Sequence, residues 1–171
     1  MKIIKGDLIQ LAITGQFDVI IHGCNCFCSM GAGIAKQIKE HFPQAYQADL
    51  DTTPGDRQKL GNFSCVQVKK GGNFFTIVNG YTQYNHSGSG PLVDYDAVEQ
   101  LFIKIKKEYT GLKIGFPKIG AGLAKGDWNI ISKIIDATLK GEDRSLVVYA
   151  PVPITVEQPD KQIKNLELKS R

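Results

Sequence analysis

The sequence lacks any apolar run that approaches the ~20 residues required by a membrane-spanning helix. Gly6-Asp7 interrupts the apolar stretch at the beginning of the chain, so that stretch is not expected to act as a signal peptide. Four cysteines in 171 residues are too few for a disulfide scaffold. These absences exclude a transmembrane protein, argue against a membrane partner and favour a reducing, cytoplasmic location.

The sequence also has little excess charge. Its 21 basic and 17 acidic residues leave a net charge of +4, which suits an anionic small ligand. The basic runs Lys69-Lys70 and Lys104–Lys107 have no interleaved aromatic residues on which bases could stack. Direct nucleic-acid binding is therefore disfavoured.

Strand patterns alternate with helical patterns along most of the chain. Apolar, β-rich runs predict strands at 2–4, 17–22, 63–68, 74–78, 112–116 and 146–149. Lys69-Lys70-Gly71-Gly72 predicts a hairpin, and so one antiparallel pair. Apolar spacing predicts helices at 34–42, stopped near Pro43, at 94–109 and at 130–139. The pattern indicates an α/β domain with a mixed sheet and helices on both faces.

The length is that of one domain, which we place at 1–150. After the last strand, Pro151, Pro153 and Pro159 interrupt a mostly polar segment. We interpret 151–171 as a C-terminal extension, either a short helix or a tail.

Glycine is the residue in excess, 18 of 171, and two glycine clusters occupy matching places. Gly31-Ala32-Gly33 lies between a strand and a helix, and so does Gly120-Ala121-Gly122. Such a turn lets backbone N–H groups approach an anion, assisted by the helix dipole. Two loops at one edge of the sheet predict a clamp for a diphosphate, although the same glycines could simply form tight turns.

Around these clusters the chain resembles the macrodomain family. Segments 19–26 and 30–35 are similar to the first ligand loop of that family, and 117–124 with 126–128 to its second phosphate loop. Gly6-Asp7-Leu8 is similar to its opening signature. The segments 79–83 and 94–97 resemble the branch of ADP-ribose 1″-phosphate phosphatases and related ADP-ribosyl glycohydrolases. The resemblance implies a three-layer α/β/α fold with a mixed central sheet of about six strands.

The resemblance also implies a set of ligand-binding residues. Asp7, with Leu8 beside it, would accept from the adenine amino group, and Asn25 would hold the distal ribose. Tyr149 would lie against the adenine. The diphosphate would be bound by backbone N–H groups of the two loops, which comprise Gly31, Ala32, Gly33, Ile34, Gly120, Ala121, Gly122, Leu123 and Ala124.

Each of the side-chain assignments has a structural alternative. Asp7 could cap the turn that follows it, and Asn25 could be a turn residue. Tyr149 could be an ordinary core residue.

The catalytic candidates are His22 and, more weakly, Asp127. His22 stands where the commoner Asn-Ala-Ala-Asn version of the first loop has an asparagine, and it could act as a general acid or base; it could equally be a buried, hydrogen-bonded histidine. Asp127 lies near the second loop but is favoured as the N-cap of the helix that follows. His86, in a loop rich in glycine and serine, is expected to lie over the ligand with little direct role.

One departure from the family matters for mechanism. The resemblance implies that glycohydrolases with a lysine nucleophile carry it where this chain has Asn79-Gly80, and the partner aspartate where it has Ala124. That mechanism is therefore not transferred to this chain.

Three cysteines, Cys24, Cys26 and Cys28, stand at every second position. This spacing differs from the Cys-x₂-Cys pairs of structural zinc sites, so we expect no metal. A nucleophilic Cys26 or Cys28 is conceivable beside a helix N-terminus, but small apolar packing is favoured.

The sequence thus predicts a protein that binds ADP-ribose and hydrolyses one of its derivatives, by removing a 1″-phosphate or by releasing ADP-ribose from a protein or nucleic acid. We expect no cofactor. The partner would be ADP-ribose or an ADP-ribosylated substrate, including an ADP-ribosylated nucleic acid. The alternative is a reader that binds ADP-ribose and catalyses nothing.

Overall fold

The computed structural model describes residues 1–151. The extension predicted for 151–171 lies, apart from Pro151, outside the described residues. Among the helices of the described part, none is long and apolar enough to cross a membrane.

A single mixed sheet forms the centre of the fold, as predicted. Its strands are β1 (Lys2–Gly6), β2 (Val19–Asn25), β3 (Phe63–Lys70), β4 (Asn73–Gln83), β5 (Ile114–Phe116) and β6 (Arg144–Tyr149). They lie in the order β1-β6-β5-β2-β4-β3. Neighbouring strands from β1 to β4 in this order are parallel, and the edge strand β3 is antiparallel to β4. The carboxyl ends of five strands therefore meet at one edge of the sheet.

Helices cover both faces of this sheet. They are α1 (Leu8–Ile13), α2 (Gly33–His41), α3 (Pro43–Leu50), α4 (Tyr95–Tyr109) and α5 (Trp128–Thr138), and a 3-10 turn lies at Arg57–Lys59. Val19 and Ile21 pack into the same apolar cluster as α4 and α5, whereas Ile20 packs with α1, α2 and α3. Successive side chains of a strand point to opposite faces, so the apolar run of β2 is buried on both sides. The result is the expected three-layer α/β/α arrangement.

The structure extends the predicted elements in two ways. It adds α1 directly after Asp7, and it adds α3, because Pro43 ends one helix and occupies the first turn of the next. It also extends β2 to Asn25 and β4 to Gln83, into polar segments for which the apolar pattern predicts no strand. In this part of the sheet His22 pairs in register with Asn79, and Gly23 pairs with Gly80. The longer strands carry polar side chains into the core.

His22 is one of these buried polar groups. Its Nε2 lies 2.7 Å from Asn79 Oδ1, while Asn79 Nδ2 donates to the carbonyl of Ala45 and to Ser64 Oγ. These two acceptors orient the amide so that its oxygen faces the ring, which assigns the proton to His22 Nε2. Burial lowers the pKa of His22 to about 4, against the smaller opposing effects of the Asn79 hydrogen bond and the Asp49 charge. His22 is therefore a neutral hydrogen-bond donor in the folded protein.

A buried ion pair lies nearby. Lys59 Nζ is 3.6 Å from Asp49 Oδ1, and the two side chains are 7% and 1% exposed. The hydroxyl of Tyr81 donates to the same carboxylate oxygen over 2.8 Å, and Lys59 also donates to Cys28 Sγ over 3.3 Å. Removing one member of such a pair leaves a buried charge without its partner, at a cost of about 3–5 kcal/mol. The network connects the segment after β2 to α3, β4 and the 3-10 turn.

The buried His22 predicts that stability falls in mild acid. The unfolded chain binds a proton at His22 near pH 6.5, but the folded protein does so only near pH 4. The contribution of the neutral His22 to the free energy of unfolding is fully present above pH 6.5. It is lost as the pH falls towards 4, by roughly 3 kcal/mol in total. Urea unfolding between pH 7.5 and 4.5 should show this loss in the parent and a smaller one in His22→Gln, whose amide can still donate to Asn79.

The matched control for this experiment is His41→Gln, because His41 is exposed at the end of α2. Its stability should follow the pH dependence of the parent. An identical pH dependence in His22→Gln and the parent would contradict the assignment of a neutral, buried His22.

Candidate functional site

A cavity of about 760 Å³ opens at the carboxyl edge of the parallel strands. This volume lies within the range of small-molecule sites. Residues at the ends of β1, β6, β5, β2 and β4 line it, from Gly6 at one side to Gln83 at the other. Five strands at about 4.8 Å per step extend roughly 19 Å, so the site is long enough for an extended ligand.

The first glycine loop forms one wall and leads into α2. Gly33 has a φ of +57°, in the region that favours glycine. The N-cap residue of α2, Ala32, makes no side-chain capping hydrogen bond, whereas aspartates cap α1, α4 and α5. Within residues 1–151, the amides of Gly31, Gly33 and Ile34 have no hydrogen-bond acceptor. The positive end of α2 is therefore available to an anion in the cavity.

The second glycine loop forms the facing wall. Gly120 has a φ of +73°, and a Cβ there would lie 2.7 Å from Val93 Cγ2, so the position requires glycine. The loop is closed by the Gly126 amide, which donates to the Gly120 carbonyl over 2.7 Å. In the described part of the chain, the amides of Gly122, Leu123 and Ala124 have no acceptor. This loop offers a second set of free donors.

The two loops approach each other across the cavity. A Cβ placed on Gly33 would lie 3.4 Å from Leu123 Cδ1. Leu123 is 69% exposed despite its apolar side chain, and it lines the cavity. The structure thus brings together, on facing walls of one cavity, two segments that are about 90 residues apart in the chain.

Asp7 and Tyr149 lie at the β1 and β6 end. One Asp7 oxygen, Oδ1, accepts from the amides of Ile9 and Gln10, so Asp7 does cap α1; the side chain nevertheless lines the cavity. Tyr149 is 69% exposed and also lines the cavity, which excludes the core alternative. The half-buried carboxylate of Asp7 can accept a hydrogen bond from a heteroaromatic amine, and the exposed ring of Tyr149 can stack against the heteroaromatic ring.

Asn25 lies towards the β4 end and organises its own loop. Its Oδ1 accepts from the amides of Phe27 and Ser29, and its Nδ2 donates to the Ser29 carbonyl over 2.9 Å. The side chain is buried but lines the cavity. Asn25 is thus a turn residue, and one of its two Nδ2 hydrogens remains for a ligand.

All the residues expected to bind ligand line this one cavity. They are Asp7, Leu8, Asn25, Gly31, Ala32, Gly33, Ile34, Gly120, Ala121, Gly122, Leu123, Ala124 and Tyr149. The two catalytic candidates do not. His22 has no exposed surface and lies behind the lining, and Asp127 is exposed outside it.

Local structure explains why these two side chains do not line the cavity. The strand that carries His22 continues to Asn25, which directs the ring of His22 into the core rather than towards the cavity. The Asp127 carboxylate accepts from the Asn129 amide over 2.8 Å and caps α5, while its own amide donates to the Tyr95 hydroxyl. A catalytic role for either residue stays a prediction.

Sequence reasoning undervalued three polar residues of the lining. Gln83, His86 and Lys118 all face the cavity. The apolar pattern of β4 ends at Val78, whereas the strand itself continues to Gln83. His86 therefore follows the end of the strand more closely in the chain than the apolar pattern predicts. The serine and glycine content of the segment 84–90 was the available signal, since such loops border ligand sites.

The three alternate cysteines have separate structural partners. Cys24 Sγ lies 3.7 Å from the His22 ring nitrogens, Cys26 donates to the Gln83 carbonyl and Cys28 donates to the Asp49 carbonyl. Burial raises the pKa of the Cys24 thiol well above its usual value, and burial also raises that of Cys26. Thiols in this state are poor nucleophiles, and they pack as small residues.

Comparison with known proteins identifies the relatives of this chain. The model of the Macro domain matches residues 21–135. An uncharacterized 17.5 kDa protein from the tk-vs intergenic region of Enterobacteria phage T4 is 38% identical over 157 residues, which are 89% of this chain and 98% of that protein. The ADP-ribose glycohydrolase OARD1 of Bos taurus is 25% identical over 146 residues, 85% of this chain and 88% of that protein.

A shorter match and a solved structure complete the comparison. An ADP-ribose 1″-phosphate phosphatase of Aspergillus oryzae is 48% identical over 46 residues, 27% of this chain and 21% of that protein. The structure of Thermosipho africanus DarTG in complex with ADP-ribose has a TM-score of 0.67 at 18% identity, over 94% of this chain and 44% of that one; it supports the fold alone. Since the family model spans more than half of the chain and a relative of nearly equal length is 38% identical, the chain belongs to the macro domain family.

Proposed function

We propose that this protein binds ADP-ribose along the whole cavity. The adenine lies at the end formed by Asp7 and Tyr149, the diphosphate lies between the two glycine loops, and the distal ribose lies towards Asn25. The order of these residues along the carboxyl edge supports the orientation, because β1 and β6 lie at one side and β2 and β4 at the other.

The observation that carries this proposal is the pair of facing sets of unpaired amides. The amides of Gly33 and Ile34 begin α2 without a side-chain cap, and those of Gly122 and Leu123 lie opposite without an acceptor in residues 1–151. Gly33, Gly122 and Leu123 are exposed, so water can accept from their amides, and a ligand oxygen can replace that water. A diphosphate supplies acceptors for both sets at once.

We further propose that the protein hydrolyses an ADP-ribose derivative at the distal ribose, to release either a 1″-phosphate or an attached macromolecule. The names of two relatives support this class of reaction. A lysine nucleophile has no counterpart, because Asn79 is buried and donates to Ala45 and Ser64. We assign the nucleophile to a water held between Asn25 and the backbone of the first glycine loop. We treat His22 as a residue that positions β2, the strand that carries Asn25.

A non-catalytic reader is the second candidate. The specific observation in its favour is that His22 and Asp127 both lie outside the cavity lining. Binding and catalysis must therefore be measured separately.

The first prediction concerns binding. ADP-ribose should bind in the micromolar range, roughly −7 to −9 kcal/mol, and AMP far more weakly, because AMP lacks the second phosphate and the distal ribose. Titration calorimetry at constant ionic strength measures both. Equal affinities for the two ligands would contradict a clamp built from two loops.

The second prediction concerns the second loop. Gly122 has no positive φ, and a Cβ there would meet no atom within 4 Å, so Gly122→Glu should fold normally. The new carboxylate would repel the diphosphate and lower ADP-ribose affinity by more than about a hundredfold. The neutral isostere Gly122→Gln separates charge from bulk and should lose less.

Gly33 is unsuitable for this test, because its φ of +57° would strain any other residue. If Gly122→Glu melts like the parent and binds ADP-ribose equally well, the second loop is an ordinary turn and the clamp is wrong.

The third prediction concerns hydrolysis. Incubation with ADP-ribose 1″-phosphate and with ADP-ribosylated protein should release phosphate or ADP-ribose, and release should fall in Gly122→Glu with the loss of binding. His22→Gln should retain turnover within about tenfold at a temperature where it is folded, because the ring of His22 has no exposed surface. Normal binding of ADP-ribose with no release from either substrate would instead identify a reader.

A further inference from the structure

Thr82 carries a buried polar group that neither the proposed binding nor the proposed hydrolysis uses. Its side chain has no exposed surface, and within residues 1–151 its Oγ1 has no hydrogen-bond partner. A buried hydroxyl without a partner destabilises a fold, and such groups in native proteins are usually hydrogen-bonded to protein atoms or to ordered water. A partner for this hydroxyl is therefore expected beside it.

Thr82 lies at an irregularity in the pairing of β2 with β4. Cys24 pairs with Tyr81, but the next pair is Asn25 with Gln83, so Thr82 has no residue opposite it. One extra residue on a strand is the arrangement of a β-bulge, and bulges beside functional sites redirect a side chain. The irregularity thus sets the direction of the Thr82 side chain independently of the alternation along β4.

The hydroxyl of Thr82 faces Gly23, on the floor of the cavity. A Cβ placed on Gly23 would lie 2.9 Å from Thr82 Oγ1 and 3.3 Å from Ile119 Cγ2, so the lack of a side chain at Gly23 leaves a small notch. Gly23, Ile119 and Gly120 all line the cavity. The notch, formed by these three residues and Thr82, is therefore continuous with the space in which we place the ligand.

A second polar group without a partner borders the same notch. The Gly120 nitrogen lies 3.9 Å from the Cβ position of Gly23, and within residues 1–151 the Gly120 amide has no acceptor. The pairing of β2 with β5 ends at Ile20, whereas its pairing with β4 continues to Asn25. Beyond Ile20 the second glycine loop, rather than a strand, borders this side of β2, which explains why the sheet does not use the amide.

The chemistry of these groups favours a bound water. Thr82 has no exposed surface, so a ligand in the cavity does not contact its hydroxyl directly. The notch is bordered by an N–H group and by no carboxylate, which disfavours a cation. A hydroxyl and an amide that both donate are linked to the oxygens of an anion only by a molecule that accepts as well as donates, and water does both.

We propose that the notch holds a water molecule that links Thr82 to the diphosphate of the ligand. The Thr82 hydroxyl and the Gly120 amide donate to the water oxygen, which leaves both water hydrogens for acceptors on the anion. This rests on the proposed binding of ADP-ribose along the cavity. Thr82 is then a positioning residue that acts on the ligand through one water.

The test compares Thr82→Val, which keeps the shape of the side chain without its hydroxyl, with Thr82→Ser, which keeps the hydroxyl. The matched control is Thr76→Val, because Thr76 lies on the same strand and does not line the cavity. The calorimetric affinity for ADP-ribose should fall about 10-fold in Thr82→Val and stay within about threefold of the parent in the other two variants. Adenosine, which has no phosphate, should bind Thr82→Val and the parent equally in an NMR titration.

Thermal stability distinguishes a hydrated hydroxyl from an unpaired one. In a dry notch, Thr82→Val removes an unsatisfied group from the interior, which should raise the melting temperature by about 2–4 °C or more and leave ADP-ribose affinity unchanged. In a hydrated notch, the melting temperature of Thr82→Val should not exceed that of the parent. A high-resolution crystal structure of the parent with ADP-ribose should show the water within hydrogen-bond distance of Thr82 Oγ1 and of the Gly120 nitrogen.

The outcomes separate this proposal from the one on which it rests. Equal affinity of Thr82→Val and the parent for ADP-ribose, or a dry notch in the crystal structure of the complex, overturns the role of Thr82 and leaves the binding function intact. If the parent binds no ADP-ribose, the proposed function fails and the link to the diphosphate fails with it, whatever the crystals show at the notch.

Discussion

The site depends on the backbone N–H groups that a helix leaves without partners at its N-terminus. In α1, α4 and α5 an aspartate side chain accepts from these groups, but the N-terminus of α2 has Ala32 at the cap and opens into the cavity. The strand order places the end of β2 beside the end of β5, so the glycine loop after each strand faces the other. Two sets of free amides then meet at one place. The positive φ of Gly33 and of Gly120 gives each loop its backbone conformation, and the diphosphate that we propose as ligand would accept from both sets of amides.

The first loop keeps its shape because buried polar groups hold it from behind. Cys28 has a φ of +56°, unusual for a residue other than glycine, and its thiol donates to the Asp49 carbonyl and accepts from Lys59. Asn25, three residues earlier, spans the turn with its side chain. The Lys59–Asp49 pair is thus coupled to the ligand site without touching it, and its loss should affect binding and folding together.

In the function that we propose, binding and chemistry use different kinds of group. The diphosphate clamp consists mainly of backbone amides, which tolerate changes in side chain and can persist in proteins with different activities. Chemistry would depend on polar side chains near the proposed position of the distal ribose, such as Asn25. A family that shares such a clamp can therefore include hydrolases and readers.

The sequence by itself determined the alternation of strands and helices, the antiparallel hairpin and the two glycine loops, because each depends on local periodicity or on a local need for glycine. It also indicated, by resemblance, a set of ligand-binding candidates, and all of them line the cavity. Only the tertiary structure decided the fate of the polar side chains. His22 and His86 are both histidines near strand ends, yet pairing in register with β4 buries the first, and packing against Phe27 presents the second to the cavity. Burial and orientation of a single polar residue depend on contacts between distant segments, and those contacts exist only in the folded chain.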